Sequence, residues 1–376
     1  MITFGHDFWK LRGTIRLLTI KSSFLDDVNG LRMHYYQVGE VGAPLVVLLH
    51  GFPELAYSWR KLIEPIANLG FYVVAPDQRG YGKTTGHTVG YDVDLAEFGM
   101  KNLTKDVAEF VGKLGYSKIE LLVGHDFGSP VAAWTALMHS GLINRLVLMS
   151  APFSGPPSKP DGRENDIHEA LKLLSPPRKH YQKYFGERDA ENNMIKAPGG
   201  FKHFLRAYFH CKSAGWPGNN PFGLNGWTAS ELASMPLYYI MNDHEGMAET
   251  ALSMAPNEDG GLSGGWISDE ELAIYSSEFL RSGLQGGLNW YRRAQSIEEK
   301  QELSDYLGQS INIPVTFIAG EKDWGIYQVP GALKAMEKIA CSNFQGTKLI
   351  EHAGHWVQQE KPKEVLAIIA TMLASI

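Results

Sequence analysis

The sequence predicts an α/β protein with a mostly parallel central sheet, flanked by helices and interrupted by a mainly helical insertion. Three observations indicate this class. Short apolar runs alternate with segments of helical spacing from about residue 45, the pattern of parallel strands joined by crossover helices. Several of these runs are apolar throughout, as expected of strands covered on both faces. The alternation stops near residue 152 and resumes near residue 312.

The first part of the chain supplies most of the predicted strands. Residues 22–36 have the pattern of two strands joined at Asn29-Gly30, a dipeptide that favours a tight hairpin turn. The apolar segments that follow are separated by stretches of helical spacing. We predict strands at residues 45–49, 71–75, 118–123 and 145–149, and helices at residues 58–69 and 103–114.

The middle of the chain has a different character. From about Pro152 it is dense in aromatic residues, and proline and glycine pairs separate its helical patches. A domain-sized insertion beside the carboxyl edge of a sheet is expected to form a cap over a site. We therefore predict a core built from residues 1–151 and 312–376 and a helical cap built from residues 152–311. In the second part of the core we predict strands at 315–319 and 347–350 and helices at 329–339 and 363–373.

Composition and charge argue against several classes of function. A chain of 376 residues can bury about three quarters of its unfolded surface, so a large core is possible. The formal charge of −6 gives no reason to expect nucleic acid or an anionic membrane as a partner. Two cysteines, Cys211 and Cys341, are too few for a disulfide framework or a cysteine metal site and are compatible with a reducing compartment.

The two ends of the sequence carry no recognised targeting signal. Residues 1–21 mix charged residues such as Asp7 and Arg12 with apolar ones and lack the continuous apolar core of a signal peptide. Residues 373–376 do not form a peroxisomal signal. No run approaches the length needed to span a bilayer. We expect a cytoplasmic protein.

A sharp turn is predicted where the strand at 118–123 meets the next helix. Its sequence is Gly124-His125-Asp126-Phe127-Gly128. Small residues on both sides let such a turn tighten until the central side chain projects, an arrangement known as the nucleophile elbow and usually built around serine. Asp126, the central residue here, is ionised at neutral pH and can attack a saturated carbon to give an alkyl ester. An aspartate that only caps the following helix is the alternative interpretation until partners are found.

Later loops offer partners for Asp126. Glu321 and Asp323 follow the first strand after the insertion, and His352 and His355 follow the next strand. The chain order of nucleophile, acid and base is the one that accompanies this type of elbow. We favour Asp323 over Glu321 because it lies deeper in its loop. We favour His355 over His352 because His352 is expected still to belong to the strand.

Two glycine-rich motifs invite other interpretations. Residues 77–84 lack the first glycine of a phosphate loop, which Asp77 replaces, and the last glycine of a dinucleotide fingerprint, where Thr85 stands. A turn braced by Asp77 and Arg79 is favoured. Residues 261–265, Gly-Leu-Ser-Gly-Gly, match a serine-hydrolase pattern, but no apolar strand leads into them, so we expect a cap loop.

Four motifs together resemble those of the α/β-hydrolase-fold epoxide hydrolases of the soluble type. They are His50-Gly51-Phe52-Pro53-Glu54, Gly124-His125-Asp126-Phe127-Gly128, Glu321-Lys322-Asp323 and Gly354-His355-Trp356-Val357-Gln358-Gln359-Glu360-Lys361-Pro362. The resemblance covers the sheet domain from about Gly30 to the end of the chain. It implies the α/β-hydrolase fold, a nucleophile at Asp126 with His355 as base and Asp323 as acid, and two cap tyrosines that hold the epoxide oxygen.

The predicted cap contains two segments similar to the tyrosine segments of that family. They are Tyr181-Gln182-Lys183-Tyr184-Phe185 and Leu288-Asn289-Trp290-Tyr291-Arg292. By this match the two tyrosines are Tyr181 and Tyr291. Gly186 stands where the family often has glutamine, so Tyr184 remains an alternative to Tyr181.

These residue types suit the opening of an epoxide. The departing alkoxide needs hydrogen bonds and a proton, which two phenols supply. His355, aligned by Asp323, would then activate water against the ester of Asp126. The backbone N–H groups of Phe52 and Phe127 are placed to form an oxyanion hole for that step.

We predict hydrolysis of an apolar epoxide by water to a vicinal diol, without a metal ion or organic cofactor. A hydrolytic haloalkane or haloacid dehalogenase could use the same three residues, but related dehalogenases place Trp or Arg after the nucleophile, where this chain has Phe127. A non-catalytic ligand-binding relative is the second alternative. We expect no nucleic acid partner, no membrane span, and a monomer or homodimer.

Overall fold

The computed structural model describes residues 19–160, 166–255 and 265–374. The predictions for the amino-terminal segment, for most of the motif at 261–265 and for the last two residues of the chain concern positions outside these ranges.

A central sheet organises the described chain. Its eight strands are β1 (Lys21–Val28), β2 (Leu31–Val38), β3 (Leu45–Leu49), β4 (Tyr72–Pro76), β5 (Leu121–His125), β6 (Leu146–Met149), β9 (Val315–Gly320) and β10 (Phe344–Ile350), while β7 (Arg178–His180) and β8 (Ile240–Asn242) form a separate ribbon. The strand order is β1-β2-β4-β3-β5-β6-β9-β10. Within this sheet, only the β1/β2 and β2/β4 pairs are antiparallel. The predicted mostly parallel sheet is confirmed.

The inner strands are covered on both faces, which explains their uninterrupted apolar sequences. Every residue of β3, β4, β5, β6 and β9 is buried. Successive side chains of a strand point to opposite faces of the sheet. Val47 and Leu49 accordingly pack into one apolar cluster, and Val46 and Leu48 into another.

Helices flank the sheet and fill the insertion. They are α1 (Ile63–Ala67), α2 (Met100–Lys113), α3 (Gly128–Met138), α4 (Ile167–Lys172), α5 (Tyr181–Phe185), α6 (Ala190–Ile195), α7 (Phe201–Cys211), α8 (Ala229–Leu232), α9 (Met247–Ser253), α10 (Asp269–Ser282), α11 (Gln285–Ala294), α12 (Ile297–Ser304), α13 (Ala332–Ala335), α14 (Val357–Glu360) and α15 (Pro362–Leu373). Short 3-10 turns lie at Ala56–Trp59, Leu95–Phe98 and Trp324–Ile326, and a π turn at Met336–Ala340. None of the helices in the described ranges combines the length and apolar character needed to cross a membrane.

Two predicted helices differ from the structure. The segment 58–69 is divided into a 3-10 turn and the short helix α1, in which Pro65 occupies the first turn. Proline is tolerated there because first-turn N–H groups have no intrahelical partner. The predicted helix at 329–339 begins only at Ala332, because Gly331 has a φ of 80°, outside the helical range.

The segment between β6 and β9 is mainly helical, in agreement with the predicted character of the insertion. Its β7/β8 ribbon is antiparallel and was not predicted, because strands of three residues are too short to show a period of two. The division of the chain at residues 151 and 311 stays a prediction.

Candidate active site

The turn at Asp126 joins β5 to α3 and is shaped by close backbone contacts. Asp126 has a φ of 51°, a left-handed value uncommon for residues other than glycine. A Cβ atom on Gly124 would lie 2.1 Å from the carbonyl oxygen of Gly128, and one on Gly128 would lie 2.5 Å from that of Leu49. Only glycine fits at these two positions, and the turn holds the Asp126 side chain at the carboxyl end of β5.

The structure brings His355 and Asp323 to Asp126. Asp323 follows β9 and His355 follows β10, two parallel neighbours in the sheet that contains β5. Nε2 of His355 lies 3.2 Å from Oδ2 of Asp126, and Nδ1 lies 3.1 Å from Oδ1 of Asp323. All three residues are buried. The imidazole ring of His355 therefore connects two carboxylates.

The alternative base and acid, His352 and Glu321, have different surroundings. His352 is exposed and follows the end of β10 at Ile350, so the expectation that it belongs to the strand was wrong. Its φ of 55° places it in a turn conformation. Glu321 is half-buried, and its carboxylate lies 3.9 Å from Nζ of Lys322.

The loop after β3 packs directly against the Asp126 carboxylate. The backbone N–H of Phe52 donates a hydrogen bond to Oδ1 of Asp126 at 2.9 Å. A Cβ atom on Gly51 would lie 2.3 Å from the same oxygen, so this approach also requires glycine. Among the described residues, the N–H of Phe127 makes no such bond with Asp126. Its ring lies 5.0 Å from the ring of Tyr291.

Two tyrosines of the inserted segment lie near the same carboxylate. Tyr181 is the first residue of α5, Tyr291 lies on α11, and their ring centroids are 6.1 Å apart. Burial, followed by the charge of Asp126, raises the pKa of both hydroxyl groups well above the ordinary value. Both phenols therefore stay protonated at neutral pH and can act as donors.

Tyr184 points into a different part of the insertion. Its hydroxyl donates to Oδ1 of Asn193 at 2.5 Å. Burial raises the pKa of this hydroxyl, and among the carboxylates Glu249 contributes most to the increase. The hydroxyl of Tyr181 instead donates to Oε1 of Gln328 at 3.0 Å, close to the Asp323 loop. The geometry favours Tyr181 over Tyr184 as the partner of Tyr291.

Comparison with known proteins agrees with this arrangement. A family model for the alpha/beta hydrolase fold matches residues 44–185. Epoxide hydrolase A of Mycobacterium tuberculosis is 33% identical over 361 residues, covering 94% of this chain and 97% of that protein. This chain belongs to the epoxide hydrolase family.

Solved structures of the epoxide hydrolase family have the same fold. An epoxide hydrolase from an endophytic Streptomyces matches with a TM-score of 0.76 and 27% identity, covering 95% of this chain and 96% of that one. Potato (Solanum tuberosum) epoxide hydrolase I matches with a TM-score of 0.73 and 29% identity, covering 95% and 100%. The predicted α/β-hydrolase fold and the family resemblance are both confirmed.

The charges in this family member favour an ionised Asp126 beside a protonated His355. Burial alone would raise the pKa of Asp126, but the adjacent imidazole outweighs burial and holds the pKa below its ordinary value. Burial and the charge of Lys212 lower the pKa of His355. The carboxylates of Asp323 and Asp126 raise it by a larger amount, so the pKa lies above its ordinary value. Nδ1 is hydrogen-bonded to Asp323, and Nε2 lies within ion-pair distance of Asp126 without a hydrogen bond among the described residues, so the two carboxylates together favour a charged ring in the resting state.

A buried contact between an acid and an imidazole lies behind the elbow and was not predicted. Nδ1 of His125 lies 2.6 Å from Oε2 of Glu54, and its Nε2 donates to the carbonyl oxygen of His355 at 2.7 Å. Gln358 and Gln359 donate to the other oxygen of Glu54 at 2.9 and 3.0 Å. Sequence analysis assigned His125 only to the turn. The structure shows that it also fixes the backbone of His355.

The roles of Glu54 and His125 could have been inferred from the sequence motifs, whereas that of Gln328 could not. Glu54 ends the first motif of the family resemblance and His125 lies inside the second, so pairing a buried acid with a buried imidazole was a possible inference. Gln328 lies in no motif, and only the folded chain brings it to Tyr181.

Proposed function

We propose that this chain hydrolyses an epoxide to a vicinal diol through a covalent ester on Asp126. The observation that carries the proposal is that two buried cap phenols, Tyr181 and Tyr291, lie next to each other and near a carboxylate that is already paired with His355. A carboxylate supplies the nucleophile and the phenols supply the acid that an epoxide requires. The names of the relatives, epoxide hydrolases, support the same reaction.

In the first half-reaction a carboxylate oxygen of Asp126 attacks one carbon of the epoxide, and the bond from that carbon to the ring oxygen breaks. The oxygen accepts hydrogen bonds from Tyr181 and Tyr291 and takes a proton from one of them. Nε2 of Gln182 lies 3.2 Å from the Tyr181 oxygen and can donate to it as negative charge develops there. The products of this step are a hydroxyalkyl ester and a tyrosinate.

In the second half-reaction His355 acts as the base. Formation of the ester removes the charge of Asp126, one of the two carboxylates that favour protonated His355, and the tyrosinate can take up the released proton. Neutral His355, aligned by Asp323, then takes a proton from water as the water oxygen attacks the ester carbonyl. The resulting oxyanion accepts hydrogen bonds from the N–H groups of Phe52 and Phe127. As it collapses, the bond between the carbonyl carbon and the alkoxy oxygen breaks, that oxygen takes the remaining proton of the attacking water, and the diol leaves Asp126 as a carboxylate beside protonated His355.

The surroundings of Asp126 suit an apolar epoxide. The rings of Phe52 and Phe185 lie 5.6 and 5.0 Å from that of Tyr291, and the ring of Phe127 lies 5.2 Å from that of Trp290. These side chains present mostly hydrocarbon to a substrate. The reaction as proposed requires neither a metal ion nor an organic cofactor.

Mass spectrometry of a His355→Ala variant tests the mechanism. Exposed to a terminal aryl epoxide, the variant should gain the mass of one epoxide, and peptide mapping should locate it on Asp126. The Asp126→Asn variant, its mass first checked against deamidation, should gain nothing. Wild-type protein should release diol from the epoxide and no halide from a haloalkane of the same size. A His355→Ala variant that binds the epoxide yet stays unmodified would contradict the proposal.

A further inference from the structure

A buried lysine lies beside the candidate site and has no role in the mechanism above. Lys212 directly follows α7 and is only 3% exposed. Among the described residues, its Nζ atom contacts aromatic rings. Burial of an ammonium group away from water is strongly unfavourable unless other groups stabilise the charge, so its presence calls for a physical reason.

Aromatic rings surround the Lys212 ammonium. Its Nζ atom lies 5.0 Å from the ring centroid of Tyr239, 5.4 Å from that of Tyr208, 5.6 Å from that of Trp356 and 6.0 Å from that of Tyr238. The faces of such rings attract a cation, and the attraction is stronger where water is excluded. The four rings therefore hold a positive charge in place without neutralising it.

The backbone of Lys212 is attached to the loop that carries His355. The N–H of His355 donates to the carbonyl oxygen of Lys212 at 2.9 Å. A Cβ atom on Gly354 would lie 2.6 Å from the same oxygen, so the two segments are in direct contact. The carboxylate of Glu360 accepts the N–H groups of Ala214 and Gly354 at 2.9 and 3.1 Å. The segment of Lys212 and the loop of His355 thus form one hydrogen-bonded unit.

The charged groups around this unit change during the proposed reaction. Burial lowers the pKa of Lys212, and the carboxylates of Asp126 and Asp323 act against that shift; Lys212 in turn opposes the protonation of His355. Once Asp126 is esterified, Asp323 is the one carboxylate still in contact with the His355 ring among the described residues. The titratable groups facing the unit are Glu54, His125, Asp126, Cys211, Tyr208, Tyr238, Tyr239, Asp323 and Glu360.

We propose that the buried ammonium of Lys212 acts as a positioning charge that keeps His355 neutral, and therefore basic, while the ester of Asp126 is hydrolysed. Two positive charges held close together in a water-poor region repel each other, so the fixed charge of Lys212 disfavours the imidazolium. In the resting state two carboxylates outweigh this repulsion. In the ester only Asp323 opposes it. This inference rests on the proposed function and adds a step-specific role to the same site.

The test is the pH dependence of ester hydrolysis in a Lys212→Met variant. Single-turnover reactions with an aryl epoxide, quenched and analysed by mass spectrometry, give the rates of ester formation and hydrolysis separately. The acid limb of the hydrolysis rate should move to higher pH by about one unit, with hydrolysis about ten-fold slower below the limb and nearly unchanged above it. The ester should therefore accumulate at low pH.

Two further variants separate charge from packing. Lys212→Arg keeps the charge and should return the limb to its wild-type position. Lys179→Met is the matched control, because Lys179 also lies over a tyrosine ring, 5.2 Å from the centroid of Tyr184, but in the part of the insertion away from Asp126. It should leave the limb unchanged.

Each remaining outcome decides a different point. A Lys212→Met limb at the wild-type pH, with all rates lowered equally, would overturn the inference and assign Lys212 to packing. If Lys212→Met does not fold, Lys212→Gln takes the same measurement, because it keeps a polar head group of similar reach without the charge. Absence of any ester on Asp126 in wild-type, Lys212→Met and His355→Ala proteins alike would instead overturn the proposed function.

Discussion

Two histidines in this protein each connect an aspartate to a potential nucleophile, and only one of the two groups has the surroundings of an active site. His355 lies between Asp126 and Asp323 at 3.2 and 3.1 Å. His34 lies 2.8 Å from the hydroxyl of Ser22 through Nε2 and 2.7 Å from Oδ2 of Asp77 through Nδ1. By residue type and distance, the second group matches a serine-hydrolase triad more literally than the first.

The difference lies in what surrounds the nucleophile. Asp126 projects from a left-handed turn and receives the Phe52 N–H on its carboxylate. Ser22 is an exposed residue of the edge strand β1, and within the described ranges His34 is the one hydrogen-bond partner of its hydroxyl. A hydrogen-bonded row of suitable residues therefore does not make a site. Donors placed for the developing charge and an opposing acid are also required.

Whereas Asp323 accepts one backbone N–H among the described residues, that of Gly325 at 2.7 Å, Asp77 joins two segments of the chain. Its carboxylate accepts the backbone N–H groups of Ala56 and Lys83 at 2.9 and 3.0 Å, and so it ties the loop after β3 to the glycine-rich turn. The predicted bracing of that turn by Asp77 is confirmed. Arg79, the other predicted brace, pairs with Asp106 at 2.6 Å and Glu97 at 2.8 Å.

Replacement of Asp323 should have the largest effect on the rate of ester hydrolysis. An Asp323→Asn variant should slow ester hydrolysis by about 10²–10⁴-fold, because the imidazolium formed in that step loses its buried carboxylate. Asp323 raises the pKa of His355, so its removal should move the acid limb of hydrolysis to lower pH, opposite to the Lys212→Met shift. Single-turnover rates across pH measure both, and Glu321→Gln is the neighbouring control. A limb that moves to higher pH would contradict the assignment.

The cap tyrosines should give the next largest effect. Tyr291→Phe and Tyr181→Phe should each slow ester formation by about 10²-fold, because one of the two donors to the alkoxide is lost. Ester hydrolysis should change much less, so the ratio of the two single-turnover rates isolates the acid role. Tyr184→Phe, which removes a hydroxyl bonded to Asn193, is the control and should leave ester formation within about two-fold. Equal losses in all three variants would remove the distinction between Tyr181 and Tyr184.

The Ser22 group should affect stability and not turnover. Ser22→Ala should leave diol formation within about two-fold, since surface substitutions away from a site have small effects. His34→Ala should lower the free energy of unfolding by about 1–3 kcal/mol, because the buried carboxylate of Asp77 loses a partner. Diol assays and denaturant titrations measure these quantities. The contrary outcome uses an activated ester as substrate. If the Asp126→Asn variant cleaves this ester and the Asp126→Asn, Ser22→Ala double variant does not, the Ser22 group is reactive.

Prediction from sequence succeeded where the constraint was local. The strand at 45–49 matches β3, and the hairpin at Asn29-Gly30 joins β1 to β2, because apolar patterning and turn chemistry act over a few residues. The prediction of one helix at 58–69 was wrong because helical spacing does not show where a helix begins. Pro65 is tolerated only in the first turn, and α1 begins at Ile63. The β7/β8 ribbon depends on pairing between segments far apart in the sequence.

Sequence patterns were enough to predict the parallel sheet, the tight turn from which Asp126 projects, and the loops that deliver Asp323 and His355 to one edge. These follow from backbone sterics and from the common direction of parallel strands. The folded chain was needed to separate the surroundings of Tyr181 from those of Tyr184, to pair His125 with Glu54 and to enclose Lys212 in aromatic rings. Side-chain direction and burial depend on contacts across long stretches of chain, such as the 147 residues that separate Tyr181 from Gln328, and no short-range pattern encodes them.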